Sequence, residues 1–405
     1  MMYKIPYQVK DLLSLILCIS ALAPFATAEQ NWSRWMGPNQ NFLNKAELPA
    51  LSELSVDWKG ALGFGYSGVV IQDEKVISLG HDGKNSESVR CLNQTGKELW
   101  KYSYKAELMD KMHVGGPNST PLIADERVYS ISKDGQVFCF ELETGKMIWK
   151  VFLPSILKTE APIFGYASSP ILHKGQLIIS AGEAIALNAS TGQVNWVTNT
   201  ADKASYASPL CFESKGQDYA LIMTGIGVRV ISLKQGKLIS EFKMKTIKSS
   251  CVSPIKVPGK DNEFFVATNV TSSVVRFENG KLTPLWSTSE LRNKLTNSLL
   301  IDDHIYGIDG SPSSRRCKLV CLEMNSGKVK WTQPYEHGTL LGFKNTICYL
   351  SDEGELVQFE INPLKYIEKG RKQVLTETCW TVPSYANGKM FLRNDLGELL
   401  CLKVQ

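Results

Sequence analysis

A unit of 44 to 49 residues recurs along this chain, and a unit that cannot bury both of its faces alone restricts the fold to a stack or a closed ring. The clearest copy starts at Thr120-Pro121-Leu122-Ile123 and continues through strands at 128–132 and 137–142, with Asp134-Gly135 between them. It ends with the turn Thr144-Gly145-Lys146 and the closing Trp149. Strand starts recur at Ser169-Pro170, Ser208-Pro209, Ser253-Pro254, Asn297-Ser298 and Val382-Pro383, with Gly68 and Thr339 as weaker equivalents. Turns recur at Thr95-Gly96-Lys97, Thr191-Gly192-Gln193, Gln235-Gly236-Lys237, Asn279-Gly280-Lys281 and Ser326-Gly327-Lys328. The closing aromatic falls at Trp100, Trp149, Trp196, Phe242, Trp286 and Trp331, at intervals of 49, 47, 46, 44 and 45 residues.

That period is the length of a four-stranded propeller blade, roughly 40–50 residues, and eight copies fit between residue 29 and the C-terminus. The expected fold is all-β: an eight-bladed β-propeller of four-stranded antiparallel blades in a single domain, 29–405. Each part of the unit has a physical role. Glycine supplies the positive φ of a tight hairpin. Proline is tolerated because the first strand is an inner edge with unpaired N–H groups. The indole packs between neighbouring blades. The last copy, at about 374–405, supplies only three strands, whereas residues 54–59 form an orphan fourth strand containing Trp58. The N-terminal strand is therefore expected to complete the last blade. In the seventh copy Tyr366-Ile367 stands in the fourth strand where other copies have tryptophan.

Lys4 and Lys10 precede an apolar stretch at 12–23, followed by Pro24 and Ala26-Thr27-Ala28. This pattern reads as a signal peptide, residues 1–28, of an exported chain, periplasmic or secreted, with no transmembrane anchor left after cleavage. The stretch is shorter than the ~20 residues of a spanning helix. The formal charge of +5 is spread evenly rather than gathered in a basic stripe, which argues against nucleic acid as a partner. Nine cysteines follow the expected cleavage point. Cys91, Cys139, Cys321 and Cys401 occupy matching strand positions, where Ala186 stands in another copy, so they are expected to be small buried side chains with free thiols rather than a disulfide framework.

The Ser/Thr-Pro start, the Thr-Gly-Lys turn, the closing tryptophan and the lead-in Trp32-Ser33-Arg34-Trp35-Met36-Gly37-Pro38 resemble the pyrroloquinoline-quinone-like (PQQ-like) β-propeller repeat family over nearly all of the exported chain. That family includes quinoprotein dehydrogenases and the non-catalytic BamB subunit of an outer-membrane assembly machine. The resemblance implies, for a dehydrogenase, adjacent cysteines and a Glu, Asn and Asp set around calcium; this sequence has no Cys-Cys pair. Neither pyrroloquinoline quinone nor calcium is expected. Asp82-Gly83, Asp134-Gly135 and Asp309-Gly310 fall at second-to-third-strand turns, where turn chemistry explains them. His81, His113, His173, His304 and His337 are scattered, with no ligand spacing.

The longer connections, at 80–88, 102–118, 151–167 and 309–316, all emerge on one face of a propeller. That face is expected to carry Lys111, His113, Lys158, Tyr166, Tyr206, Lys248, Lys294, Arg315 and Arg316, a basic and aromatic set around the channel mouth. The expected role is a non-enzymatic, BamB-like scaffold that binds an envelope or secreted protein, or an anionic or carbohydrate ligand, through this face. The alternatives are a quinone-dependent dehydrogenase with a degenerate site and a carbohydrate-binding propeller.

Overall fold

The computed structural model describes residues 31–111, 113–157, 161–198, 205–247, 251–313 and 316–404. The expected signal segment, 1–28, lies outside the described residues. Among the described residues, thirty-two strands form eight four-stranded antiparallel sheets, the blades of a propeller. Seven blades use consecutive strands; the eighth takes Ser55–Ala61 as its outer strand, beside Glu398–Lys403. Their register runs from Ser55 opposite Lys403 to Ala61 opposite Glu398, so the N-terminal strand closes the ring as the sequence predicts. No helix among the described residues is long and apolar enough to cross a membrane.

The joint between blades explains the repeat. In all eight blades a β-bulge interrupts the pairing of third and fourth strands. In five of them a small residue beside the bulge faces the tryptophan: Cys91 opposite Trp100, Cys139 opposite Trp149, Ala186 opposite Trp196, Cys321 opposite Trp331 and Cys401 opposite Trp58. A bulge bends and twists its strand, and the indole lies over the glycine turn of the next blade. Its Nε1 donates to a carbonyl there: Trp58 to Gln94 at 2.8 Å, Trp100 to Leu142 at 3.0 Å, Trp149 to Ala189 at 3.1 Å. Trp196, Trp286 and Trp331 repeat the bond to Leu233, Met324 and Asn362. A Cβ on Gly192, whose φ is +74°, would sit 2.8 Å from the Trp149 ring. The turn requires glycine both for its backbone and for the indole above it.

Two copies depart from the pattern read in the sequence. Asn279-Gly280 is a two-residue hairpin between Glu278 and Lys281, with both φ values positive, unlike the longer Thr-Gly-Lys turns. The preceding blade offers Phe242, which has no N–H to donate, so this turn needs no carbonyl placed for an indole. In the seventh blade the fourth strand is Glu368–Gln373, and Tyr366 precedes it rather than lying within it. Tyr366 still fills an aromatic place, 6.1 Å from Trp331 and 5.4 Å from Phe359 between ring centres.

A second joint runs around the channel. The Ser/Thr at each inner-strand start accepts the backbone N–H of its counterpart one blade earlier: Gly68 to Thr120 at 3.0 Å, Thr120 to Ser169 and Ser169 to Ser208 at 2.9 Å, Ser208 to Ser253 at 3.0 Å. Asn297 continues this ladder with Oδ1, 3.3 Å from the Ser253 N–H. It stops at Thr339, whose buried hydroxyl has no partner. The lead-in residues cross the channel at its hairpin end. Trp32 pairs with Ile71 of the first blade, Ser33 accepts from the Ile123 N–H of the second, Trp35 Nε1 donates to Ser253 Oγ of the fifth, and Leu43 bridges Gly342 of the seventh.

All nine described cysteines are free, and seven are buried. Burial raises the thiol pKa of Cys91, Cys348 and Cys401 to about 12, which keeps them inert. Between the first two blades Glu87 is fully buried and accepts from Tyr104 Oη at 3.1 Å and from the Lys133 N–H at 3.2 Å. Burial raises its carboxyl pKa to about 7, and these hydrogen bonds offset part of the rise.

Trp149→Ala is expected to lower the unfolding free energy by about 3–5 kcal/mol in chemical denaturation; a loss below about 1 kcal/mol, the scale of an ordinary surface change, contradicts the joint. Glu87 holds its proton more tightly folded than unfolded, so its contribution to stability is full below its ordinary pKa of 4.5 and is lost as pH rises to about 7. Unfolding free energies measured across that interval should fall more steeply for the parent than for Glu87→Gln. Parallel curves would show that Glu87 titrates normally.

Candidate functional site

The connections that lead into the inner strands surround the end of the channel away from the lead-in. Over half of this mouth they bring aromatic rings into a continuous arc. Trp380 stacks on Tyr66 at 5.4 Å between ring centres, Tyr66 meets His113 edge-on at 5.4 Å, His113 meets Phe164 at 5.4 Å, and Phe164 meets Tyr206 at 5.8 Å. Each ring comes from a different connection, so the ring of blades sets their spacing. The Phe164 N–H donates to the Tyr206 hydroxyl at 3.4 Å, and Tyr66 Oη lies 3.4 Å from Asp395 Oδ2 of the eighth blade. Burial is the first cause raising both phenol pKa values, so both stay protonated donors at neutral pH.

The electrostatics follow from burial among cations. His113 is pushed down to about 4 by burial and then by Lys133. Its Nδ1 accepts the Gly115 N–H at 3.1 Å, which leaves the proton of the neutral ring on Nε2. His337 is also pushed down to about 4, by burial and then by Lys294, and neither ring nitrogen has a hydrogen-bond partner. Lys133 is fully buried with Nζ unpartnered, and burial lowers it to about 8. Arg393 is equally buried but well met: it donates to the carbonyls of Ser67, Leu79 and Gly63, each at 2.9 Å. The two buried cations thus differ in that the guanidinium is met by carbonyls and the ammonium is not.

Of the residues the sequence singled out, the structure brings His113 and Tyr206 together in the arc. Lys294 is half-buried at the opposite side of the mouth, and Lys111 and Arg316 are exposed on the same face. Tyr166 is corrected: it is 3% exposed, packed in the core with Leu153 and Leu157 against Gly135, because its backbone follows the turn that covers Lys133. Lys158, Lys248 and Arg315 lie outside the described residues. Sequence reading missed Tyr66, Phe164, Trp380, Lys133 and His337. Their common signal is place, within a few residues of an inner-strand start or, for Lys133, in a second-to-third-strand turn. Asp309 is also more than a turn residue: it is buried and clamps Arg292 through both oxygens, at 2.8 and 2.7 Å.

The calcium and quinone set of the dehydrogenase branch requires a cluster of oxygen ligands. Among the described residues no three His, Cys, Asp or Glu gather into a group able to hold a metal ion. The one carboxylate that touches the aromatic arc is Asp395, beside Tyr66. This donor set does not fit calcium, a hard cation that takes six to eight oxygen ligands.

Three solved structures are similar to the chain over most of its length. A europium-containing methanol dehydrogenase aligns with a TM-score of 0.73 at 11% identity, covering 91% of this chain and 90% of that one. A quinohemoprotein alcohol dehydrogenase from Comamonas testosteroni gives 0.72 at 11% identity, covering 93% and 80%. BamB from Moraxella catarrhalis gives 0.64 at 13% identity, covering 86% and 99%. At these identities the likeness shows the fold alone. A BamB from Legionella pneumophila (strain Paris) is 27% identical over 206 residues, 50% of this chain and 48% of that protein, so the match spans about half of that relative. Residues 85–334, more than half of the chain, match the family described as outer membrane protein assembly factor BamB, and the chain is a member of that family of PQQ-like propellers.

Proposed function

We propose that this chain is an exported, non-catalytic scaffold that docks a protein of the outer-membrane assembly apparatus on its loop face. The observation that carries this reading is the family match over residues 85–334. The layout of the molecule supports it. The lead-in occupies the hairpin end of the channel, while the long connections gather at the other end. Exposed apolar side chains on that loop face include Ile163 (68%), Ile247 (60%) and Leu396 (46%). Such residues beside basic and aromatic ones are the ingredients of a protein interface. The donor chemistry of the mouth gives no support to a calcium-dependent quinone reaction.

Photo-crosslinking residues introduced at Ile247 and at Leu396 test the reading in cells that export the chain. Leu364, exposed in a third-to-fourth-strand turn on the opposite face, is the control. Crosslinks to an outer-membrane assembly component, identified by mass spectrometry, are expected from the loop face and not from Leu364. Equal capture from both faces, or none from the loop face, contradicts the reading.

A further inference from the structure

At six of the eight joints between blades, the fourth-strand residue that pairs beside the bulge is a tryptophan, and its ring seats on the next blade. The fourth blade has Ser240 there, opposite Val230, and the next blade closes directly on it: the Ser240 hydroxyl accepts the Leu282 N–H at 2.9 Å. The seventh blade has Gly370, opposite Gln358. The pair is thus reversed. The place of the indole holds no side chain, and the place of the small Cys or Ala holds a long amide. A Cβ on Gly370 would meet no atom within 4 Å, and its φ lies outside the left-handed region, so neither space nor backbone demands glycine.

The lead-in, not a third-to-fourth-strand turn, faces this place. Gln358 Nε2 donates to the Leu48 carbonyl at 2.9 Å, the kind of bond that an indole Nε1 makes at the other joints. The amide replaces the indole's hydrogen bond but not its volume. What is left is a pocket of about 270 Å³, open to solvent, with Leu48 and Ala50 of the lead-in on one wall and Thr346, Gln358 and Lys369 of the seventh blade on the other. An apolar cavity of about 150 Å³ already binds benzene, so this pocket has room for two fused rings. Its rim carries Glu47 and Lys369, both exposed and both already paired, with Lys344 at 2.8 Å and Glu360 at 3.3 Å. A protein surface seated here would take these charges out of water, which is costly, whereas a single uncharged ring enters between them.

We propose that the joint between the seventh and eighth blades is a binding seat for a free, uncharged bicyclic aromatic of indole size, and that the missing side chain of Gly370 creates it. This goes beyond the docking reading and does not depend on it: the pocket lies beside the lead-in, away from the loop face, and the test involves no protein partner.

Isothermal titration calorimetry of the full exported chain with indole tests it. Saturable binding at a single site is expected, with a Kd of about 1 mM or tighter. N-acetyltryptophanamide, the same ring carried on a peptide unit, should bind more weakly. Gly370→Trp fills the seat from the seventh blade, and Ala50→Trp narrows it from the lead-in; each should weaken indole binding by about tenfold or more. Gly370→Ala, which leaves room for a ring, should bind like the parent, and so should Lys150→Trp, which adds an indole on the exposed outer strand of the second blade. Blocking substitutions on two separate segments distinguish a filled pocket from a local disturbance, and each variant's own unfolding curve shows that it is folded. No saturable binding by the parent, or parent-like binding by Gly370→Trp or Ala50→Trp, overturns the proposal. Tighter binding of N-acetyltryptophanamide than of indole overturns the assignment to a free ring in favour of a protein side chain.

Discussion

The rest of the structure depends on the seating of one blade's indole over the next blade's glycine turn. A four-stranded sheet has two apolar faces and needs a neighbour on each. The tryptophan supplies a large apolar face, and its N–H satisfies a carbonyl that the turn would otherwise bury unpaired. The bulge makes this geometry available by twisting the fourth strand, and the small Cys or Ala opposite the indole leaves room for it. Because each joint resembles the one before it, the ring is built from nearest-neighbour contacts and needs no separate central core. Closure then rests on Trp58, which carries the same contact from the last blade back to the first.

The inner ladder makes the same connection at the axis, and its break at Thr339 coincides with the least regular part of the ring. The seventh blade lacks a tryptophan on its outer strand. The eighth has no third-to-fourth-strand turn to receive one, because its fourth strand is Ser55–Ala61 from the N-terminal segment. The lead-in bridges this region instead: Gln358 Nε2 donates to the Leu48 carbonyl at 2.9 Å, and Lys372 Nζ donates to that of Leu54 at 2.6 Å. The N-terminal segment thus has two roles, completing the last blade and occupying one end of the channel. What remains of the channel is the opposite end, where the connections are long and polar groups lack partners.

The fold was legible because every element of the joint leaves a mark at a fixed interval: Gly96 beneath Trp58, Gly192 beneath Trp149, Cys139 opposite its own tryptophan. The departures were not. Asn279-Gly280 looks like its neighbours in sequence, and only the pairing of Glu278 with Lys281 shows a shorter hairpin. The serine and threonine before each proline were visible as a pattern, but their purpose depends on contacts about 40 to 50 residues away. The site was less legible than the fold. Tyr206 and His113 were placed on the loop face from their connections, and they do lie there in the aromatic arc, whereas Tyr166 is buried because its connection turns inward over Lys133. Lys133 itself reads as an ordinary turn lysine; only its burial sets it apart. Contacts between loops of different blades follow from ring geometry, which no local pattern encodes.

The central claim is that the N-terminal segment is an integral part of the ring, as closing strand and as channel filling, so that one face alone is left open. Native-state hydrogen exchange on the full exported chain tests it most directly. Those amides of Ser55–Ala61 that bond to Glu398–Lys403, and the Trp32 and Asn44 amides bonded to Ile71 and Gly342, should be protected well above free peptide and should open together with the bonded amides of Glu398–Lys403. Exchange of the N-terminal segment at the rate of free peptide, while the remaining blades stay protected, would contradict it.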